Sequence, residues 1–144
     1  MIYMLAMTTG LRASELASVT PESFADFAPA SGPVHLQRRI EGRDVRVHVV
    51  DEEVHGELIE SDAVDYRTAT AFFTPFTPPP AVSALVVQAT RAAGLLFAGW
   101  DFKLDSEGRF WCLEANPMPG YDGYDTRAGG AISRSLVARL TSRR

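Results

Sequence analysis

The run Asp44-Val45-Arg46-Val47-His48-Val49-Val50 constrains the fold more than any other stretch. Side chains on a strand alternate between faces. Val45, Val47 and Val49 therefore point one way, and Arg46 and His48 the other. Asp51-Glu52-Glu53 is an acidic turn, and Val54 to Ser61 returns as the partner strand. The unit is an antiparallel hairpin with one apolar face that needs a cover and one polar face. The whole chain is 46% apolar and 22% charged, which suits a packed domain rather than a disordered one.

A second hairpin follows the same logic. Leu95 to Leu104 reads as a strand, Asp105-Ser106-Glu107-Gly108 as a tight turn, and Arg109 to Asn116 as the return strand. Helical spacing of Val82, Leu85, Val86 and Ala89 predicts a helix after Pro78-Pro79-Pro80, with Gly94 just past its end. A last helix is predicted from Thr126, with Ala131, Ile132, Leu136 and Leu140 as its buried stripe. Residues 2–18 read as a helix or helix pair broken at Gly10, and a short helix follows Thr20-Pro21-Glu22. Val34, Leu36 and Ile40 suggest a further strand. The stretch from Asp62 to Thr77 reads as a loop. Two hairpins interleaved with helices make an α+β fold with a mainly antiparallel sheet.

The second hairpin carries unusual side chains for two core strands. Glu114 and Asn116 are two apart and share a face; folding at the glycine turn brings Asp101 alongside. Two carboxylates and an amide oxygen are hard ligands of the magnesium type, not the zinc type. Taken alone, the trio has a solvated strand end as its alternative reading. Cys112, the single cysteine, is expected to be a buried thiol on the same face as Glu114, and excludes an internal disulfide.

The formal net charge of −4 argues against a general nucleic-acid surface, and Lys103 is the only lysine. The apolar N-terminal run is seven residues long, too short to cross a bilayer, and lacks a basic flank. A soluble, cytoplasmic protein is expected, with no membrane partner.

The segment from Gly99 to Ser133, "GWDFKLDSEGRFWCLEANPMPGYDGYDTRAGGAIS", resembles the metal-binding segment of ATP-grasp carboxylate–amine ligases. The run "VHLQRRIEGRDVRVHVVDEEVHGELIESDAVDYR" resembles the hinge and following hairpin of the same superfamily. Together they cover roughly Pro33 to Leu140 in matching order. The flavour is that of ribosomal-protein glutamate ligases and peptide-cyclising enzymes. The resemblance implies the C-terminal subdomain of an ATP-grasp enzyme over residues 33–144, with ATP and two Mg²⁺ ions as cofactors. It implies Asp101, Glu114 and Asn116 as metal ligands, and Leu36, Gln37, Arg38, Arg39 and Ile40 as the hinge that contacts adenine. Lys103 falls in the nucleotide-binding set, although an ion pair with Asp101 is the competing role. Arg46 and Arg67 match arginines that reach phosphate or the acyl-phosphate intermediate. Each is alternatively a surface salt bridge. The implied substrates are a carboxylate and an amine, from a peptide or an amino acid.

Such enzymes clamp ATP with a preceding subdomain that carries a lysine strand and a glycine-rich loop. Residues 1–32 contain neither. The expectation is a partial chain that binds Mg-ATP weakly, does not turn over alone, and self-associates through its bare apolar wall. A non-catalytic nucleotide- or metal-binding module is the alternative. The stretch "TTGLRASELASVTPESF" separately resembles a tyrosine recombinase segment, with Arg12 as the phosphate-contacting residue. A recombinase remnant that binds DNA is the third reading.

Overall fold

The computed structural model describes residues 4–5, 35–36, 40–61 and 70–142. They fall in two compact units. One comprises residues 1–41 with 61–71, the other residues 42–60 with 72–144.

In the first unit, β1 (Met4–Leu5) pairs antiparallel with β2 (His35–Leu36). Met4 and Leu5 are therefore extended, not helical as their apolar spacing suggests. Two residues cannot show a period, and cross-strand hydrogen bonds decide their conformation. The remainder of the predicted N-terminal helices, Arg12 included, lies outside the described residues.

The second unit is built on a five-stranded antiparallel sheet in the order β5-β4-β3-β6-β7. Its strands are β3 (Arg43–Val50), β4 (Glu53–Ser61), β5 (Ala71–Phe76), β6 (Phe97–Leu104) and β7 (Phe110–Asn116). The valine-bearing strand β3 is central, flanked antiparallel by β4 and β6. Both predicted hairpins form. Asp51 turns the first with a φ of 55°, a conformation that a short polar residue tolerates. Residues 71–76 form an edge strand rather than the expected loop. Gly56 of β4 makes this possible: a methyl there would strike the Phe76 carbonyl oxygen. Pro75 is acceptable on a sheet edge, where one side of the backbone needs no partner.

The faces of β3 divide as its alternation requires. Val45, Val47 and Val49 are buried with Leu58, Phe102 and Leu104 in one cluster, capped by Val86 of α1 (Pro80–Ala92). That helix starts with Pro80 in its first turn, where the missing N–H costs nothing, and Gly94 follows its end with a φ of 71°. Its inward residues are Val86 and Thr90, whereas Leu85 is 60% exposed. The Trp100 indole N–H donates to Thr90 Oγ1 at 3.0 Å, which explains a polar residue in that position.

The opposite face receives the C-terminal helices. Gly129 and Gly130, with φ of 62° and 82°, split the expected single helix into α2 (Asp122–Arg127) and α3 (Ala131–Thr141). Thr126 thus lies inside α2 and opens nothing. The buried residues of α3 are Ile132 and Ser135, and Leu140 is exposed. Ser135 earns its place by polar contacts: its hydroxyl lies 2.6 Å from Glu53 Oε2 and accepts from His55 Nε2 at 3.0 Å. Asp51 holds two helices at once, taking Arg139 of α3 at 2.8 Å and Arg91 of α1 at 3.9 Å.

Candidate active site

Register places the predicted chemistry in one row. Arg46 of β3 stands directly opposite Asp101 of β6, and Asp101 directly opposite Glu114 of β7. Directly opposed residues share a face. Asn116, opposite Gly99, lies on the same face. Arg46 Nη1 is hydrogen-bonded to Asp101 Oδ2 in an ion pair whose arginine is almost fully buried. Its Nε is buried and has no hydrogen-bond partner among the described residues. Glu114 is exposed, and its carboxylate has no ion-pair partner among them. Asn116 Oδ1 accepts the Met118 N–H at 2.8 Å, a local turn that fixes the amide at the end of the strand.

Two local features shape the row. A Cβ on Gly99 would lie 2.6 Å from Pro119 Cβ and 2.9 Å from Arg46 Nη2. The missing side chain is what lets the Arg46 fork cross β6. Between Glu114 and Cys112 the ladder slips by one: Phe102 pairs with Cys112 rather than with Leu113, leaving Leu113 as a bulge residue. Cys112 consequently shares the face of Phe102, not of Glu114. It is also exposed, because β7 is an edge strand. Both outcomes correct the expectation of a buried thiol beneath Glu114. Burial of part of the side chain and the nearby Asp101 charge raise its pKa.

His48 lies two residues along β3 from Arg46 and is 1% exposed. Its Nε2 donates to the Gly120 carbonyl at 3.2 Å, and its ring packs against Phe97 and Tyr124. Burial, reinforced by the Arg46 charge, depresses its pKa from 6.5 to about 4. A neutral imidazole therefore anchors the Pro/Gly loop after Asn116. On the other flank, Glu57 of β4 is directly opposite Arg46 and is held bidentately by Arg127 of α2, at 2.9 and 2.7 Å. The sequence motifs assign no role to Gly99, Glu57, Tyr124 or Arg127, and His48 enters only as a residue on the face of Arg46. The available signal was the alternation itself, which puts Glu57 and His48 on the face of Arg46.

The other predicted residues are distributed as follows. Lys103 pairs with Asp44 across the strands at 2.8 Å, not with Asp101. Register dictates this, since Lys103 is opposite Asp44. Leu36 is part of β2, and Ile40 is half-buried in the first unit. Gln37, Arg38, Arg39 and Arg67 lie outside the described residues.

The donor set suits a hard, oxygen-loving cation. Asp101, Glu114 and Asn116 offer two carboxylates and an amide oxygen, with the imidazole of His48 engaged elsewhere and the thiol on the opposite face. Among the described residues no three His, Cys, Asp or Glu side chains cluster as a self-sufficient metal cage. Mg²⁺ does not need one, since it draws its remaining ligands from water and phosphate. No described helix is long and apolar enough to cross a membrane.

No protein-family model matches the chain. A D-alanine--D-alanine ligase of Bordetella petrii is 31% identical over 142 residues, spanning 84% of this chain and 43% of the ligase. Among solved structures, the ATP-grasp ligase PsnB complexed with a phosphomimetic variant of its minimal precursor, Mg and ADP is 28% identical, with a TM-score of 0.63. The match covers 89% of this chain and 41% of that one. A RiPP-associated ATP-grasp ligase of Chryseobacterium gregarium, in complex with ADP and a leader and core peptide, has a TM-score of 0.70 at 19% identity over 78% of this chain and 37% of its own, a likeness of fold. The chain spans less than half the length of each of these proteins. The register that unites Arg46, Asp101 and Glu114 thus belongs to a chain of the ATP-grasp ligase superfamily that matches part of the length of its relatives.

Proposed function

We propose that this chain forms the metal-holding, phosphate-facing wall of an ATP-dependent carboxylate–amine ligase. The observation that carries the reading is the unbroken row Arg46–Asp101–Glu114 across three strands, with a buried guanidinium at one end and, at the other, an exposed carboxylate that has no ion-pair partner among the described residues. A structural ion pair alone would leave Glu114 without a purpose.

In this reading ATP phosphorylates a carboxylate, and an amine displaces phosphate to form an amide. Asp101, Glu114 and Asn116 Oδ1 would hold magnesium, one or two ions, whose charge offsets that of the transferring phosphoryl group. Arg46 presents a planar fork suited to phosphate oxygens. Gly99 leaves the fork room, and the neutral His48 fixes the loop that follows Asn116 without adding charge. The hinge run Leu36, Gln37, Arg38, Arg39 and Ile40 and the arginine Arg67 retain the adenine and acyl-phosphate roles that the resemblance implies. The minimal precursor bound in the PsnB complex makes a peptide carboxylate or amine the favoured substrate class. We place the chain in the cytoplasm, with its ATP.

The test uses Mn²⁺ in place of Mg²⁺. Adding Mn-ATP to the isotopically labelled chain should broaden the backbone amide signals of Asp101, Glu114 and Asn116 before all others. Affinity is expected to be weak, about millimolar or a few kcal/mol. Glu114→Gln removes a carboxylate that has no ion-pair partner among the described residues, so its melting temperature should match the parent while the broadening falls about tenfold, about 1.4 kcal/mol. Unchanged broadening in Glu114→Gln would refute the metal assignment.

A further inference from the structure

Arg46 has a carboxylate directly across from it on both sides: Asp101 on β6 and Glu57 on β4. Cross-strand neighbours on one face stand roughly 5 Å apart at Cβ, within reach of a long side chain. Glu57 is the more deeply buried carboxylate of the two. Charges attract more strongly where water is excluded, so Glu57 is the stronger competitor for the guanidinium. Yet Arg46 pairs with Asp101.

The reason lies in α2. Arg127 grips Glu57 through both Nε and Nη2, the fork-to-carboxylate geometry that fills the oxygens most completely. Its guanidinium is backed by the Phe73 ring at 3.9 Å and the Tyr124 ring at 4.9 Å. The Tyr124 ring also lies 5.7 Å from Arg46 Cζ. One aromatic ring therefore serves two like charges, and its π face is attractive to both.

We propose that Arg127 is a positioning residue: by occupying Glu57 it commits Arg46 to Asp101, on the side of the sheet that carries Glu114 and Asn116. In its absence Arg46 turns to Glu57, and the row across β3, β6 and β7 is broken. The proposal adds a selector to the phosphate-facing role given to Arg46 above, but it is read out without any nucleotide.

The side-chain Nε–H signal of Arg46, identified by its loss in Arg46→Lys, reports the partner it holds. In Arg127→Ala the signal should shift away from its parental position. In the double variant Arg127→Ala/Glu57→Gln it should return, because the competing charge is gone. A mere latch between α2 and the sheet cannot be rescued by removing its other half. Glu57→Gln alone should leave the signal in place, and this variant tests the argument even if Arg127→Ala does not fold: a moved signal there would show that Glu57 already orients Arg46. No shift in folded Arg127→Ala, or a shift that persists in the double variant, would overturn the proposal. Mn-ATP broadening should follow the same order, falling at least tenfold in Arg127→Ala and recovering in the double variant. Absence of any Mn-ATP effect in the parent, with the Arg46 shifts as described, would sink the nucleotide role and leave the selector standing.

Discussion

His48 makes the stability of this fold depend on pH with a predictable sign. Burial holds its folded-state pKa near 4, while the unfolded chain protonates at the ordinary value of 6.5. Between these values the unfolded state binds a proton that the folded state refuses, so stability falls as pH falls through the window and levels off below it. At about 1.4 kcal/mol per pH unit, the span from 6.5 to about 4 corresponds to about 3 kcal/mol of stability lost. That is a large share of the total for a domain of this size. Urea unfolding at intervals between pH 7 and pH 4 measures it. His48→Gln keeps a neutral donor for the Gly120 carbonyl and should flatten most of the slope. His55, whose pKa is lowered chiefly by burial, contributes in the same direction, so His55→Gln is the control that removes its share. Asp125 acts only at lower pH: the Ser133 hydroxyl and N–H hold its pKa down, and its contribution is lost below the normal carboxylate range. An equal slope in parent and His48→Gln would refute the assignment of a neutral, buried imidazole.

Two further substitutions probe the parts of the sheet that support the site. Gly99→Ala puts a methyl 2.6 Å from Pro119 Cβ; relief requires the loop and the Arg46 fork to move, at a cost of about 1–3 kcal/mol, with the Arg46 Nε–H signal displaced. An unperturbed Arg46 signal would show that the fork does not depend on the empty space. Thr90→Val strands the Trp100 indole N–H in the apolar layer and should cost about 1–3 kcal/mol, while Thr90→Ser restores most of it; thermal melting of the pair separates the hydrogen bond from the change in shape.

The alternation of Asp44 to Val50 made β3, its two faces and the first hairpin legible, because period-two burial is imposed by the pleat and nothing local competes with it; the tight turn at Asp105–Gly108 did the same for the second hairpin. The same parity carried Asp101 and Glu114 to one face. It failed one step later, at Cys112, because a bulge adds a residue without any mark in composition. Pro80 and Gly94 bounded α1 correctly, but the rotation of the helix did not follow hydrophobicity. Thr90 faces inward to satisfy Trp100, and Leu85 is left outside. The Gly129-Gly130 pair could be read either as helix interior or as a break; the positive φ values that decide it come from tertiary context. Glu57 and Arg127 are 70 residues apart, and only the fold introduces them.

The bulge at Leu113 has a consequence for how this hairpin can vary. It separates the row of Arg46, Asp101 and Glu114 from the tip of the hairpin. Beyond it the tip is a self-contained knot: the Asp105 carboxylate accepts from the Trp111 indole, from the Arg109 side chain and from the backbone N–H groups of Glu107 and Arg109. A strand in strict alternation would transmit any one-residue insertion at the tip as an inversion of every side chain as far as Asn116. Here the ladder has already absorbed such a slip and re-entered register at Glu114. The carboxylate and amide that face Asp101 thus keep their side of the sheet although the tip runs one residue out of step with them.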